Sequence, residues 1–184
     1  MPNKDFVASR TPLRVAQDPG EIDNPILDFF LRYWNAKRGQ RPMPSRADIR
    51  VRELKAHLGW VSLVDVLPEA KDFRFRLVGS HVSQYFLGDG TGKTLSEVFI
   101  QSPKAFVEHV FWIYRTVAQS ARPLRISGPG ASFRGQLFPD YDSLYLPLSD
   151  DGARATMVMS VFTFNYEEYR RTHSLHWLTH TAPG

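Results

Sequence analysis

Five stretches rich in β-branched and aromatic residues, at 60–66, 73–79, 122–126, 143–148 and 154–164, are interrupted once, between the second and the third, by a long helical pattern. Strands that alternated with helices would build a parallel sheet. Two strands, a helical insert and three further strands instead describe an α+β domain, with one antiparallel sheet and helices over its face. The first two stretches flank a loop containing Pro68 and read as a hairpin, and Asp150, Asp151 and Gly152 form the turn between the last two. Paired as a hairpin with unbroken alternation, the first two strands place Val61, Leu63, Phe73, Phe75 and Leu77 on one face. Trp60, Ser62, Val64, Arg74, Arg76 and Val78 then share the other.

Helical periodicity appears twice. Asp23 or Asn24 can cap a helix with Pro25 in its first turn, and Ile26, Leu27, Phe30, Leu31 and Trp34 form an apolar stripe that runs on until Gly39. The stripe is the available cover for the mixed face of the hairpin. The second helix starts at Ser102 or Pro103 and reaches about Ala118, with Phe106, Val110, Ile113, Tyr114 and Val117 on its buried side. Between these come a connector with Pro42 and Pro44, a short helix over 51–57 ended by Gly59, and short helical pieces over 81–99 broken by Gly88, Gly90 and Gly92. The chain therefore divides into a flexible N-terminal arm (1–22), a helical lead (23–58), a core (59–165) and a C-terminal tail (166–184).

The 184 residues suffice for one core. Cysteine is absent, so disulfides, thiolate metal sites and flavin photochemistry through a cysteinyl adduct are excluded. No signal-peptide pattern or membrane-length apolar run is present, and the expected location is cytoplasmic, without membrane contact. The net charge of +4 is concentrated at Arg32, Lys37, Arg38, Arg41, Arg46, Arg50, Arg52 and Lys55, opposed only by Asp48 and Glu53. No nucleic-acid motif accompanies this stripe, which reads as solvated or internally paired surface, or as a contact for an acidic signalling partner.

The chemistry-bearing patterns are few. The segment from Gly88 to Thr94 is glycine-rich, but a phosphate-binding loop would need glycine where Leu87 stands, so it reads as a turn that glycine permits. His173, His176 and His180 have helical spacing but no carboxylate partner nearby, and they are assigned no metal. His109, alone on its helix, does not call for haem. Asp150 and Asp151 belong to a turn, and no nucleophile motif is found, so no catalytic residue is assigned.

Particular residues also carry a family resemblance: Tyr33-Trp34 with Arg38-Gly39, the connector from Pro42 to Arg46 with Asp48, and the strand from Phe73 to Gly79. It continues with Leu87-Gly88, Thr91-Gly92, Tyr141 and the segment from Leu144 to Leu148. In this order the chain resembles the PAS superfamily, and within it the PAS_5 family of small stand-alone bacterial proteins. The resemblance implies a five-stranded antiparallel sheet of order 2-1-5-4-3, a helical cover and a cavity between them. It also implies a sensory or signalling role, with an effector in the same chain or a separate one; no effector pattern follows the last strand, so reporting by contact is expected, and without a nucleophile motif no catalysis is expected. Leu63, Phe75, Leu77, Tyr85, Phe106, Val110 and Tyr114 are the expected lining for a small, largely apolar ligand. Leu27, Phe30 and Trp34 are the expected contacts of a homodimer. The alternatives are a dimeric adaptor without a ligand and an enzyme whose groups converge from distant positions.

Overall fold

The computed structural model describes residues 13–84, 88, 90–128, 132–133, 136–137 and 140–164. Strand β1, Arg14–Gln17, leads into helix α1, Pro25–Arg38. Short 3-10 turns at Arg46–Asp48 and Val51–Trp60 follow, then the hairpin of β2, Val61–Val66, and β3, Phe73–Val78. Helices α2 (Ser80–Val82), α3 (Leu95–Val98) and α4 (Lys104–Ser120) form the insert. Strand β4, Leu124–Gly128, the small ribbon of β5 (Ser132–Phe133) and β6 (Gln136–Leu137), then β7 (Tyr141–Leu148) and β8 (Met157–Phe164) complete the chain.

The main sheet is antiparallel, in the order β1-β4-β7-β8-β2-β3. Read from β3, its last five strands reproduce the expected 2-1-5-4-3. The sixth, β1, comes from the segment expected to be an arm without structure of its own. It pairs residue for residue with β4, from Arg14 opposite Ser127 to Gln17 opposite Leu124. All four of its side chains are exposed, so no apolar alternation marks it in the sequence; backbone pairing with a distant strand makes it.

Helices cover both faces. On one, Leu27, Phe30, Leu31 and Trp34 of α1 pack with Val61, Leu63, Leu144, Leu146, Met159 and Val161. On the other, Phe111, Tyr114 and Val117 of α4 and Leu95 of α3 pack with Val64, Phe73, Phe75, Ile126, Tyr145 and Val158. Asn24 caps α1 by accepting from the amides of Ile26 and Leu27, and its side-chain amide donates to Thr163 Oγ1 at 2.8 Å, which ties the helix start to β8. The indole N–H of Trp34 donates to the buried carbonyl of Pro147 at 2.7 Å.

This packing answers where the α1 stripe goes. Leu27 and Phe30 are fully buried and Trp34 nearly so, all within one chain. These three residues are core, not the contact surface they were expected to give a second copy, because the chain's own sheet already removes them from water at ~1.5–3 kcal/mol each.

One break in β3 changes the expected faces. Leu63 lies opposite Leu77 and Val64 opposite Phe75, so Arg76 is an extra residue in a β-bulge. The bulge resets alternation. Phe73 and Phe75 face α4, while Leu77 joins Leu63 against α1. Arg74 and Arg76 are exposed. Arg76 grips Asp65 of the neighbouring strand with Nε and Nη2 at 2.9 and 3.0 Å; it does not reach Asp28, which pairs with Arg32.

Candidate functional site

Between α4 and the sheet the core contains a line of hydroxyls in apolar surroundings. In the sheet register Ser62 of β2 lies opposite Ser160 of β8, and Ser160 opposite Tyr145 of β7. Alternation points all three toward α4, which lowers Tyr114 onto them. Tyr114 Oη and Ser160 Oγ share a hydrogen bond of 3.2 Å, and Ser160 Oγ also donates to the Ser62 carbonyl at 3.5 Å. Ser143, two residues from Tyr145 on the same face, donates to the Ile126 carbonyl at 2.9 Å. The rings of Tyr114 and Tyr145 meet edge to face at 5.5 Å.

One member of the line stands apart. Ser62 Oγ is buried and has no hydrogen-bond partner among the described residues. A buried hydroxyl left so costs ~1–3 kcal/mol, which a ligand or water that pairs with it would recover.

Burial pushes the Tyr114 hydroxyl up to about 12 and that of Tyr145 well above its ordinary value. Both stay neutral at physiological pH. They are suited to donate and accept hydrogen bonds rather than to act as bases. Among the described residues no group of His, Asp and Glu could hold a metal.

The expected lining residues divide accordingly. Phe75 and Tyr114 are buried here, and Phe106 and Val110 pack half-buried against the same cluster. Leu63 and Leu77 are corrected to the opposite side of the sheet, the face that α1 covers, because the bulge separates them from Phe73 and Phe75; Tyr85 lies outside the described residues. The hydroxyl line was missed. Its only sequence signal is a serine within two apolar strands, at Ser62 and Ser160, which gains meaning once the strands are in register.

The remaining patterns resolve as structure. Gly88 and Gly92 both adopt left-handed backbone, with φ of 58° and 84°. Gly92 donates to the Phe75 carbonyl at 2.7 Å, and the Lys93 carbonyl accepts from the Phe75 amide at 2.9 Å, so this loop borders β3. Asp151 accepts from Ser149 Oγ and from the amides of Ala153 and Arg154, and those amides hold its carboxyl at about 2. His109 stacks on the exposed Trp112, and burial lowers its pKa. His173, His176 and His180 lie outside the described residues. Part of the basic stripe is neutralised internally, by Arg32 with Asp28, Lys37 with Glu53 and Arg41 with Asp48.

The model of the PAS_5 family, described as a PAS domain, matches residues 22–161, which span both helical covers and the main sheet apart from β1 and the end of β8. The chain belongs to the PAS_5 family. PAS domains are in general sensory, non-catalytic modules, and this chain is a sensory or signalling domain. Among solved structures it is similar in fold to an RNA-binding light-oxygen-voltage receptor, at 13% identity and a TM-score of 0.51. That match covers 92% of this chain but 43% of the receptor, so the PAS_5 chain spans less than half the receptor's length. No curated protein matches the sequence significantly. Among the described residues no helix is long and apolar enough to cross a membrane.

Proposed function

We propose that this PAS domain is a ligand sensor that holds a small, largely apolar molecule carrying one polar group between α4 and the sheet, and that it catalyses no reaction. The observation that carries this reading is Ser62 Oγ, buried without a partner beside the Tyr114–Ser160 pair. Apolar surroundings with a few convergent polar groups are the usual make-up of a small-molecule site. The aromatic side chains of Phe75, Phe106 and Tyr114 supply the apolar part. Ser62, which lies between β3 and β8, supplies orientation.

Ligand occupancy would be reported by contact. The strand that carries Ser62 is paired on both sides, so a shift there is passed to β3 and β8.

Native mass spectrometry of freshly purified protein, alone and as Ser62→Ala, tests the proposal. The expected result is a retained small molecule in the parent whose occupancy falls in the variant. Protein that is mass-homogeneous and empty, with Ser62→Ala no less stable, would favour a dry core and the adaptor reading.

A further inference from the structure

A concavity lies on the α1 side of the sheet, where the C-terminal half of α1 meets the bend after β1 and the turn between α4 and β4. Its volume is about 490 Å³, within the range of small-molecule sites. Leu31 and Trp34 line it, and prolines from three separate segments complete its apolar surface.

Two arginines give the cleft its sign. The Arg38 guanidinium lies over the Trp34 ring, 5.3 Å from its centroid, held by Asn35 Oδ1 at 3.0 Å and the Arg41 carbonyl at 3.2 Å. It has no carboxylate partner among the described residues. Arg122 pairs with Asp18 at 3.1 Å. Two guanidiniums against one carboxylate leave an excess positive charge beside the apolar prolines, and the planar fork of arginine matches a carboxylate.

The walls are also strained. Of the four non-glycine residues with left-handed φ among the described residues, two line this cleft: Asp18 at 47° and Ala121 at 54°. The Asp18 amide donates to the Pro123 carbonyl at 2.9 Å, which locks the two walls together. Such conformations persist where the surroundings over-determine them, and they gather at ligand clamps.

We infer that this cleft is a second binding site, for a small carboxylate with a flat apolar body. The flat body lies against Pro19 and Pro42, which line the cleft and are not buried, and the carboxylate takes the open donors of Arg38 and Arg122. The site is independent of the hydroxyl line, which lies on the other face of the sheet.

The probe is 2-naphthoate, titrated into the full chain and followed by the amide and indole resonances in NMR, with 2-naphthamide as its uncharged counterpart. Saturable shifts are expected at Trp34, Asp18 and Ala121. Affinity is expected to fall about tenfold or more for the amide, for Arg38→Gln and for Arg122→Gln, as befits loss of a charge-assisted hydrogen bond. The two variants lie on different elements, so misfolding of one leaves the other as a test. Equal binding of acid and amide, shifts confined to the surroundings of Tyr114 and Ser160, or no saturable shift at the cleft would overturn the inference.

Discussion

Trp34 on α1 donates its indole N–H to the Pro147 carbonyl on β7, 2.7 Å away in the buried core. Pro147 lies in the β7–β8 ladder opposite Val158, and this bond fixes the rotation of α1 over the sheet. Trp34→Phe keeps most of the apolar area but leaves the carbonyl without its donor. A loss of about 1–3 kcal/mol is expected in urea unfolding, with the oligomeric state unchanged.

The double change Phe30→Asp with Trp34→Ala separates core from interface directly. Phe30 is fully buried against the chain's own sheet, so the aspartate meets no water in the fold. Loss of cooperative thermal unfolding is expected. A stable, folded monomer derived from a parent dimer would instead return these residues to an assembly surface.

Much of the fold was legible because its signals are local. Helix α1 carries its stripe, its Asn24 cap and its Gly39 stop in consecutive residues, and the strand runs carry their own composition. What was not legible depends on partners distant in sequence. Arg76 becomes a bulge only because Val64 pairs with Phe75, and nothing in the alternation of β3 announces it. Strand β1 exists by pairing with β4, more than a hundred residues away. The same holds for the site: Phe75 and Tyr114 were readable as apolar periodicity, whereas Ser62 and Ser160 become a polar line through register alone.

The buried tyrosines give stability a defined alkaline limit. Tyr114 is held up to about 12 when folded, against about 10 when unfolded, so between those values the unfolded chain releases a proton that the folded chain retains. Stability from this group is complete below pH 10 and declines as pH rises toward 12. Tyr145, raised in the same direction, adds to the decline. The two-unit shift corresponds to about 3 kcal/mol lost by pH 12. Tyr114→Phe should flatten the fall of the unfolding free energy between pH 10 and 12; an identical slope in both proteins would contradict the assigned burial.

Ala121 ends α4 in the left-handed region at φ 54°, a position that glycine occupies without penalty. Ala121→Gly should therefore stabilise the fold by about 0.5–1 kcal/mol, read from the denaturation midpoint at unchanged slope, in spite of the added freedom of the unfolded chain.

Gly92 offers the clearest separation of backbone strain from packing. Its φ is 84°, yet a Cβ built there meets nothing within 4 Å, so any cost of a side chain comes from the backbone alone. The hydrogen bond that its amide donates to the Phe75 carbonyl pins the loop to β3, which prevents the turn from relaxing without losing that contact. Gly92→Ala should cost on the order of 1–2 kcal/mol and Gly92→Val more, because branching at Cβ narrows the left-handed region further. Lys93→Ala is the control, since the Lys93 contribution to β3 is its carbonyl, which the substitution keeps. Near-wild-type unfolding for Lys93→Ala, together with graded destabilisation from Ala to Val at Gly92, is the expected pattern. ATP binding that disappears in Lys93→Ala would instead make the segment a phosphate loop.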